Sequence, residues 1–155
     1  MKLNRALFLD LDKTVIYNKS GAEFPKSIDD WKFIPRILER IKFYSDEGFY
    51  ICIVSNQGGI QLGYVSHEFI QARLNSIQQE IEQYIHAAIS YAYCPHMDHY
   101  DRKPNPGMAY QMALNLNLDL RECIMIGDAD SDEEFAKIAG IGTYSHVNDF
   151  TLNYR

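Results

Sequence analysis

The sequence predicts an α/β chain in which a mostly parallel five-stranded sheet is packed between helices on both faces. Three observations predict it. Short unbroken apolar runs, suited to strands buried on both faces, recur along the chain. Stretches of helical apolar spacing separate them, and repeated strand and helix alternation implies an open parallel sheet. The 155 residues suffice for one three-layer core and are too few for two independent ones, so a single domain over residues 1–155 is expected.

The first strand is ALFL at residues 6–9, an apolar run that suits the centre of the sheet. Residues 15–24 alternate loosely and are interrupted by Asn18 and Gly21. With the polar stretch to Asp30 they read as a small hairpin or flap. From Ile34 the positions Ile34, Ile37, Leu38, Ile41 and Tyr44 keep helical spacing, with Pro35 in the first turn and Gly48 as the stop. FYICIV at residues 49–54 is the second strand and completes a right-handed βαβ unit. Ser66 caps the next helix, whose stripe Ile70, Leu74, Ile77, Ile81 and Ile85 is core. Residues 88–93 form the third strand, followed by the loop CPHMDHYDRKPNPGM. A third helix uses Ala109, Met112, Ala113 and Leu116, with Asn105 as cap and Pro106 in its first turn, and ends near Asn117. CIMI at residues 123–126 is the fourth strand. SDEE at residues 131–134 matches a capping box and opens a short helix through Phe135, Ile138 and Ala139, which Gly140 ends. Residues 141–145 form the fifth strand.

Composition narrows the class. A content of 46% hydrophobic and 23% charged residues is that of a soluble globular protein. No apolar run approaches the roughly 20 residues of a membrane span, and the chain enters a strand without a signal-peptide h-region, so no membrane partner and a cytoplasmic location are expected. Cys52, Cys94 and Cys123 are odd in number and lack CxxC spacing, which argues against a disulfide framework; Cys52 and Cys123 read as small core residues. The net charge of −6 argues against a wide nucleic-acid-binding face, though not against a local basic patch.

Chemistry is concentrated at the predicted strand ends. The first strand runs into Asp10 and Asp12, which leave one side of the backbone if the extended conformation persists. Carboxylates that close resist ionising together unless a cation or proton offsets them, and a magnesium ion would do so. The same pair also suits a plain turn aided by Thr14, and the pair alone leaves both readings open. SNQGGI at residues 55–60 places a small hydroxyl before paired glycines, a loop whose amides can approach an anion. No Gly-Lys-Ser/Thr follows, which excludes a P-loop kinase. Lys103 beside a helix start suits a phosphate clamp or an ordinary solvated lysine. Asp128 follows the fourth strand, and Asp132 falls in a first helical turn, where the helix dipole also favours it. Asp10, Asp12, Ser55 and Asp128 share the carboxyl ends of the strands, with Lys103 on the same side, where ligands bind in such sheets. That concentration favours a site.

The segments DLDKT, VSNQGG, RKPNPGM and GDADSD resemble, in order and spacing, the four motifs of the haloacid dehalogenase (HAD) superfamily of aspartate-nucleophile phosphatases. The resemblance spans residues 7 to about 141. It implies a Rossmann-like three-layer HAD fold and magnesium-dependent hydrolysis of a phosphomonoester through an aspartyl phosphate. It implies Asp10 as nucleophile, Asp12 as general acid and base, and Ser55 and Lys103 as the other catalytic residues. The implied phosphate-binding set is Thr14, Ser55, Asn56 and Lys103, and the implied metal set is Asp10, Asp12, Asp128 and Asp132. The physics agrees, since a phosphate dianion admits an anionic nucleophile only when cations neutralise its oxygens. Only about 20 residues lie between Thr14 and the first helix, and residues 60–103 are used up by a helix, a strand and a loop. No cap domain fits, which leaves the site open to a bulky ester.

Two capless branches resemble the chain. The 3′-phosphatase domain of polynucleotide kinase/phosphatase is similar through DDWKFIP at residues 29–35, NQGGI at 56–60 and the ending at 148–150. The histidinol phosphate and heptose bisphosphate phosphatases are similar through CPH at residues 94–96 and RKPNPGM at 102–108. Members of the second branch often hold a structural zinc through a Cys, a His and two further cysteines. Here residues 100–102 stand where those cysteines would be, so structural zinc is not expected; beside Cys94 and His96, the substitute ligands on offer are His99 and Asp101. The reading favoured here is a polynucleotide 3′-phosphatase, with Trp31, Tyr93 and Tyr100 free to stack a base unless Trp31 packs against the flap. The acidic balance limits its reach to a terminal nucleotide or two. A small-metabolite phosphatase of the second branch is the alternative. From another class, a receiver-type phospho-acceptor domain is disfavoured because the third strand ends in Tyr93 and Cys94 rather than a phospho-accepting acid, and a non-catalytic binding domain by the retention of both Asp10 and Asp12.

Overall fold

The computed structural model describes residues 2–152. In chain order the elements are β1 (Ala6–Leu9), β2 (Ile16–Tyr17), β3 (Lys32–Phe33), α1 (Ile37–Asp46), β4 (Tyr50–Asn56), α2 (His67–Ile85), β5 (Ser90–Cys94), α3 (Gly107–Leu116), β6 (Ile124–Gly127), α4 (Asp130–Ala139), β7 (Thr143–His146) and α5 (Val147–Leu152). The main sheet has the order β5-β4-β1-β6-β7, with every neighbouring pair parallel. No helix among the described residues is long and apolar enough to cross a membrane.

β1 is the centre because both of its faces are apolar. Leu7 and Leu9 enter a core shared with Ile37 and Ile41 of α1 and with Ile70 and Ile77 of α2. Ala6 and Phe8, one residue out of phase, enter the opposite core with Met108 and Met112 of α3 and Phe135 of α4. All four β1 side chains are fully buried, and each large one contributes roughly 1.5–3 kcal/mol. The polar continuation of β1 is therefore delivered to the carboxyl edge of the sheet.

Several boundaries differ from expectation, each for an identifiable reason. β5 begins at Ser90 rather than residue 88, because α2 side chains already satisfy Ile89: its N–H donates to Glu82 Oε2 and its carbonyl accepts from Gln78 Nε2. β7 begins at Thr143 rather than residue 141. The amides of Ile141 and Gly142 are taken by the carbonyls of Ala136 and Leu120 as the chain leaves α4. Pro106, not Asn105, precedes α3, since the Asn105 amide donates to the His99 carbonyl instead of capping. Pro35 stays outside α1, which Arg36 enters with a left-handed φ of 70°. α4 starts at Asp130, two residues before the position that a cap at Ser131 would give, and Asp132 serves its end from within the first turn. α5 is absent from the sequence reading. Six residues do not sustain a helix alone, and this one is held by burial of Val147 and Phe150, with Phe150 stacked on Tyr44 at 5.6 Å.

The flap is an antiparallel pair, Ile16 opposite Phe33 and Tyr17 opposite Lys32, enclosing a loop of residues 18–31. Asp30 ties that loop together: it accepts from the Ser20 hydroxyl (2.6 Å), the Ser20 amide (2.8 Å) and the Lys26 amide (2.9 Å). These donors, the hydroxyl first, hold its carboxyl down at a pKa of about 2. Trp31 is buried and packs edge-to-face on Phe33 at 5.0 Å. It belongs to the flap base and is not offered to a base. The structure shows no cap domain among the described residues.

Candidate active site

The chain reverses directly after β1. The Asp10 amide donates to the Ile126 carbonyl, extending the β1–β6 ladder by one bond. The buried Leu11 then offers its carbonyl to the amides of Thr14, Val15 and Ile16, and Lys13 takes a left-handed φ of 66° to complete the loop. Asp10 and Asp12 therefore do not continue an extended strand, and their side chains take different partners.

Asp10 faces Lys103. The ammonium Nζ lies 2.8 Å from Asp10 Oδ1 and 2.8 Å from Asp132 Oδ1. Burial alone would lower the Lys103 pKa, but the carboxylates of Asp10 and then Asp132 outweigh it and hold the group above its usual range. Burial pushes Asp10 up, Lys103 pulls it down, and the adjoining Asp128 carboxyl pushes it up again. Asp132 is engaged on both oxygens: its Oδ2 accepts the amides of Asp128 (3.2 Å) and Ala129 (3.1 Å). A Cβ at Gly127 would collide with that carboxylate, so glycine is required where β6 gives way to α4.

Among the described residues, one group of three or more acidic, histidine or cysteine ligand atoms is close enough to share an ion. It comprises Asp10, Asp128 and Asp132, with all ligand atoms within 4.8 Å of one another. An all-carboxylate oxygen set suits a hard divalent cation such as magnesium. The fit is also electrostatic, because Asp10 and Asp128 approach each other and carboxylates at that range resist ionising together unless a proton or a cation offsets them.

Three of the expected site residues have other partners in this geometry. The Asp12 carboxylate lies outside the metal group: its Oδ2 accepts from Gln57 Nε2 at 3.2 Å and its Oδ1 lies 3.7 Å from Arg73 Nη1, which together draw it aside. Burial raises its pKa, and Arg73 opposes the rise. Thr14, expected on the phosphate, is fully buried and directs its hydroxyl to Asp128 Oδ1 at 3.4 Å. Asn56, also expected there, spends both ends of its amide on the main chain of Lys103. Nδ2 donates to the Lys103 carbonyl (3.0 Å) and Oδ1 accepts the Lys103 amide (2.9 Å). Ser55 is buried at the end of β4, where its Oγ accepts from Gln57 Nε2 at 2.6 Å.

Sequence reasoning missed Gln57 and Arg73. Gln57 joins Asp12 to Ser55 and carried no signal of its own inside the SNQGG run. Arg73 did carry one: it stands three residues after Ile70 and one before Leu74, a charge on the inward stripe of α2, and it is 1% exposed. Beside Asp12 opens a recess of about 320 Å³, lined by Asp12, Glu23, Phe24, Arg73, Met97 and Arg102 among others. At the end of β5, Cys94 is buried with its thiol 3.8 Å from the His96 carbonyl. His96 stacks on His99, and His99 Nδ1 accepts the Asp101 amide at 3.0 Å. Burial pushes the core thiols of Cys52 and Cys123 up, to about 12 and about 11, so neither is a nucleophile.

A family model described as polynucleotide kinase 3 phosphatase matches residues 5–151. The D-glycero-alpha-D-manno-heptose-1,7-bisphosphate 7-phosphatase of Burkholderia mallei is 35% identical, over 90% of this chain and 78% of its own. The D,D-heptose 1,7-bisphosphate phosphatase from B. bronchiseptica, solved with magnesium and phosphate, superposes with a TM-score of 0.79 at 25% identity. It covers 97% of this chain and 86% of its own. A chain of the Pnkp1/Rnl/Hen1 RNA repair complex superposes with a TM-score of 0.57 at 13% identity, covering 93% of this chain and 43% of its own. That likeness concerns the fold.

Proposed function

Because the chain belongs to the polynucleotide kinase 3 phosphatase family, within the haloacid dehalogenase superfamily of phosphatases, we propose that it hydrolyses a small phosphorylated sugar of the heptose bisphosphate class. The observation that carries the reading is the Asp10–Lys103–Asp132 contact chain beside Asp128, in a protein similar to heptose bisphosphate phosphatases over nine-tenths of its length. The polynucleotide reading favoured by the sequence gives way. Trp31 is withdrawn into the flap base, and the likeness to the RNA repair complex rests on fold. Asp128, Asp130, Glu133 and Asp149 also gather on one flank of the site, which disfavours an extended nucleic-acid strand lying across it.

In this reading Asp10 attacks the phosphorus. A bond forms between its carboxylate oxygen and phosphorus while the ester bond breaks, giving an aspartyl phosphate. Asp12, facing the recess where the sugar would lie, delivers a proton to the departing alkoxide and then takes one from the water that hydrolyses the intermediate. Lys103 holds Asp10 in place and neutralises phosphoryl charge, and the Ser55 hydroxyl contributes a donor. Asp10, Asp128 and Asp132 would hold a magnesium ion, which would withdraw charge from the phosphoryl oxygens when bound there.

Phosphate release from a panel of heptose 1,7-bisphosphate, histidinol phosphate, nucleoside monophosphates and 3′-phosphorylated oligonucleotides tests the reading. A kcat/KM of at least about 10⁴ M⁻¹s⁻¹ is expected for the sugar bisphosphate, well above that for any oligonucleotide. The reverse order would restore the nucleic-acid substrate, and undiminished turnover by Asp10→Asn protein would remove the mechanism.

A further inference from the structure

Arg73 is a buried charge that the reaction as described leaves without a task. The inward residues around it on α2, Ile70, Leu74, Ile77 and Ile81, are apolar, and a guanidinium in such a place is costly unless it is paired. Its partners lie in two directions. Nη2 donates to Asn18 Oδ1 at 2.6 Å and to the Asp30 carbonyl at 3.4 Å, which are the two ends of the flap loop. Nη1 lies 3.7 Å from Asp12 Oδ1, and Nε has no hydrogen-bond partner among the described residues. On the other side of Asp12, Gln57 donates to Oδ2. The Asp12 carboxylate is thus held at both oxygens, by Arg73 and by Gln57, while its side chain stays 46% exposed toward the recess.

A residue needed only to fasten the flap would require Asn18 and Asp30 and nothing more. The reach to Asp12 is surplus to that role, and it places a rigid planar cation against the group that faces the leaving oxygen. We propose that Arg73 is a positioning residue for proton delivery: anchored through Asn18 and Asp30, its guanidinium aims the Asp12 carboxyl at the departing oxygen, so that a seated flap becomes a condition for leaving-group protonation. The inference rests on the reading of Asp12 as the general acid.

Leaving-group dependence separates this role from simple support of the fold. A p-nitrophenolate departs without a proton, whereas the alkoxide of β-glycerophosphate needs one, and kcat/KM reports the step in which either departs. Asp12→Asn should lower kcat/KM for β-glycerophosphate at least about 100-fold more than for p-nitrophenyl phosphate. Arg73→Met should show the same bias at about tenfold, with Arg73→Lys recovering part of it. Equal losses on both esters in Arg73→Met, alongside a biased Asp12→Asn, would overturn the positioning role and leave the acid assignment standing. An unbiased Asp12→Asn would remove the acid assignment itself. If Arg73→Met protein does not fold, Asn18→Ala decides: it removes the flap anchor of the guanidinium from outside α2. A bias of about threefold is then expected, and its absence overturns the inference.

Discussion

Lys103 and Asp10 meet at 2.8 Å although 93 positions separate them in the chain. The same ammonium reaches Asp132, so one cation in a nearly dry setting serves two carboxylates. Removing it leaves both without a counter-charge. Lys103→Met is expected to lower kcat/KM by about 10²–10³ and to destabilise the protein by about 3 kcal/mol in EDTA. Turnover of p-nitrophenyl phosphate and urea denaturation check the two parts separately.

Asn56 is bound to the main chain of Lys103 through both ends of its amide. Its amide makes two bonds to the Lys103 main chain, each contributing about 1 kcal/mol. Asn56→Ala should cost about 2 kcal/mol of stability. Its kinetic cost should fall on kcat more than on KM, because Asn56 is one residue among many that line the recess, whereas the lysine it displaces acts on the phosphoryl group. Steady-state kinetics with a sugar phosphate tests this, and a rise in KM alone would return Asn56 to the phosphate.

Asp10, Asp128 and Asp132 form the carboxylate group suited to a divalent ion. Magnesium at about 100 times its dissociation constant should stabilise the parent by about 2.7 kcal/mol, and EDTA should reverse the gain. Asp128→Asn should abolish most of this shift. Thermal denaturation with and without magnesium measures it without reference to turnover.

Asp30 sets an acid limit on the flap. Its folded pKa of about 2 lies below the ordinary 3.8, so the stability it contributes is present above 3.8 and is lost as the pH falls through 2. Trp31, the one tryptophan of the chain, lies beside it and reports on the flap base. Asp30→Asn should alter Trp31 fluorescence at neutral pH, and the difference from the parent should narrow as the pH falls from about 4 toward 2. A difference that widens over that range would show that Asp30 is not the anchor.

The layered sheet was legible because apolar periodicity is a property of neighbouring residues. ALFL at residues 6–9 emerges as β1 with the limits expected, and the acids that follow it lie at the sheet edge because the chain must leave the core there. Asp10, Ser55, Lys103 and Asp128 could be placed on one side of the molecule from strand ends and loop positions alone. The boundaries of β5 and β7 were not legible, since Glu82, Gln78 and Leu120 claim the backbone groups that a local reading assigns to the ladder.

The linear chain specified which chemical groups reach the rim of the sheet; it left open which oxygen each of them addresses. Asp12 turns from the metal group toward Gln57 and Arg73, Asn56 turns to the Lys103 backbone, and Thr14 turns to Asp128. Gln57 to Asp12 spans 45 positions, Asn56 to Lys103 spans 47, and Thr14 to Asp128 spans 114. Hydrogen bonds and ion pairs respond to tenths of an ångström and to solvent exclusion, and those are set only when distant segments pack against one another.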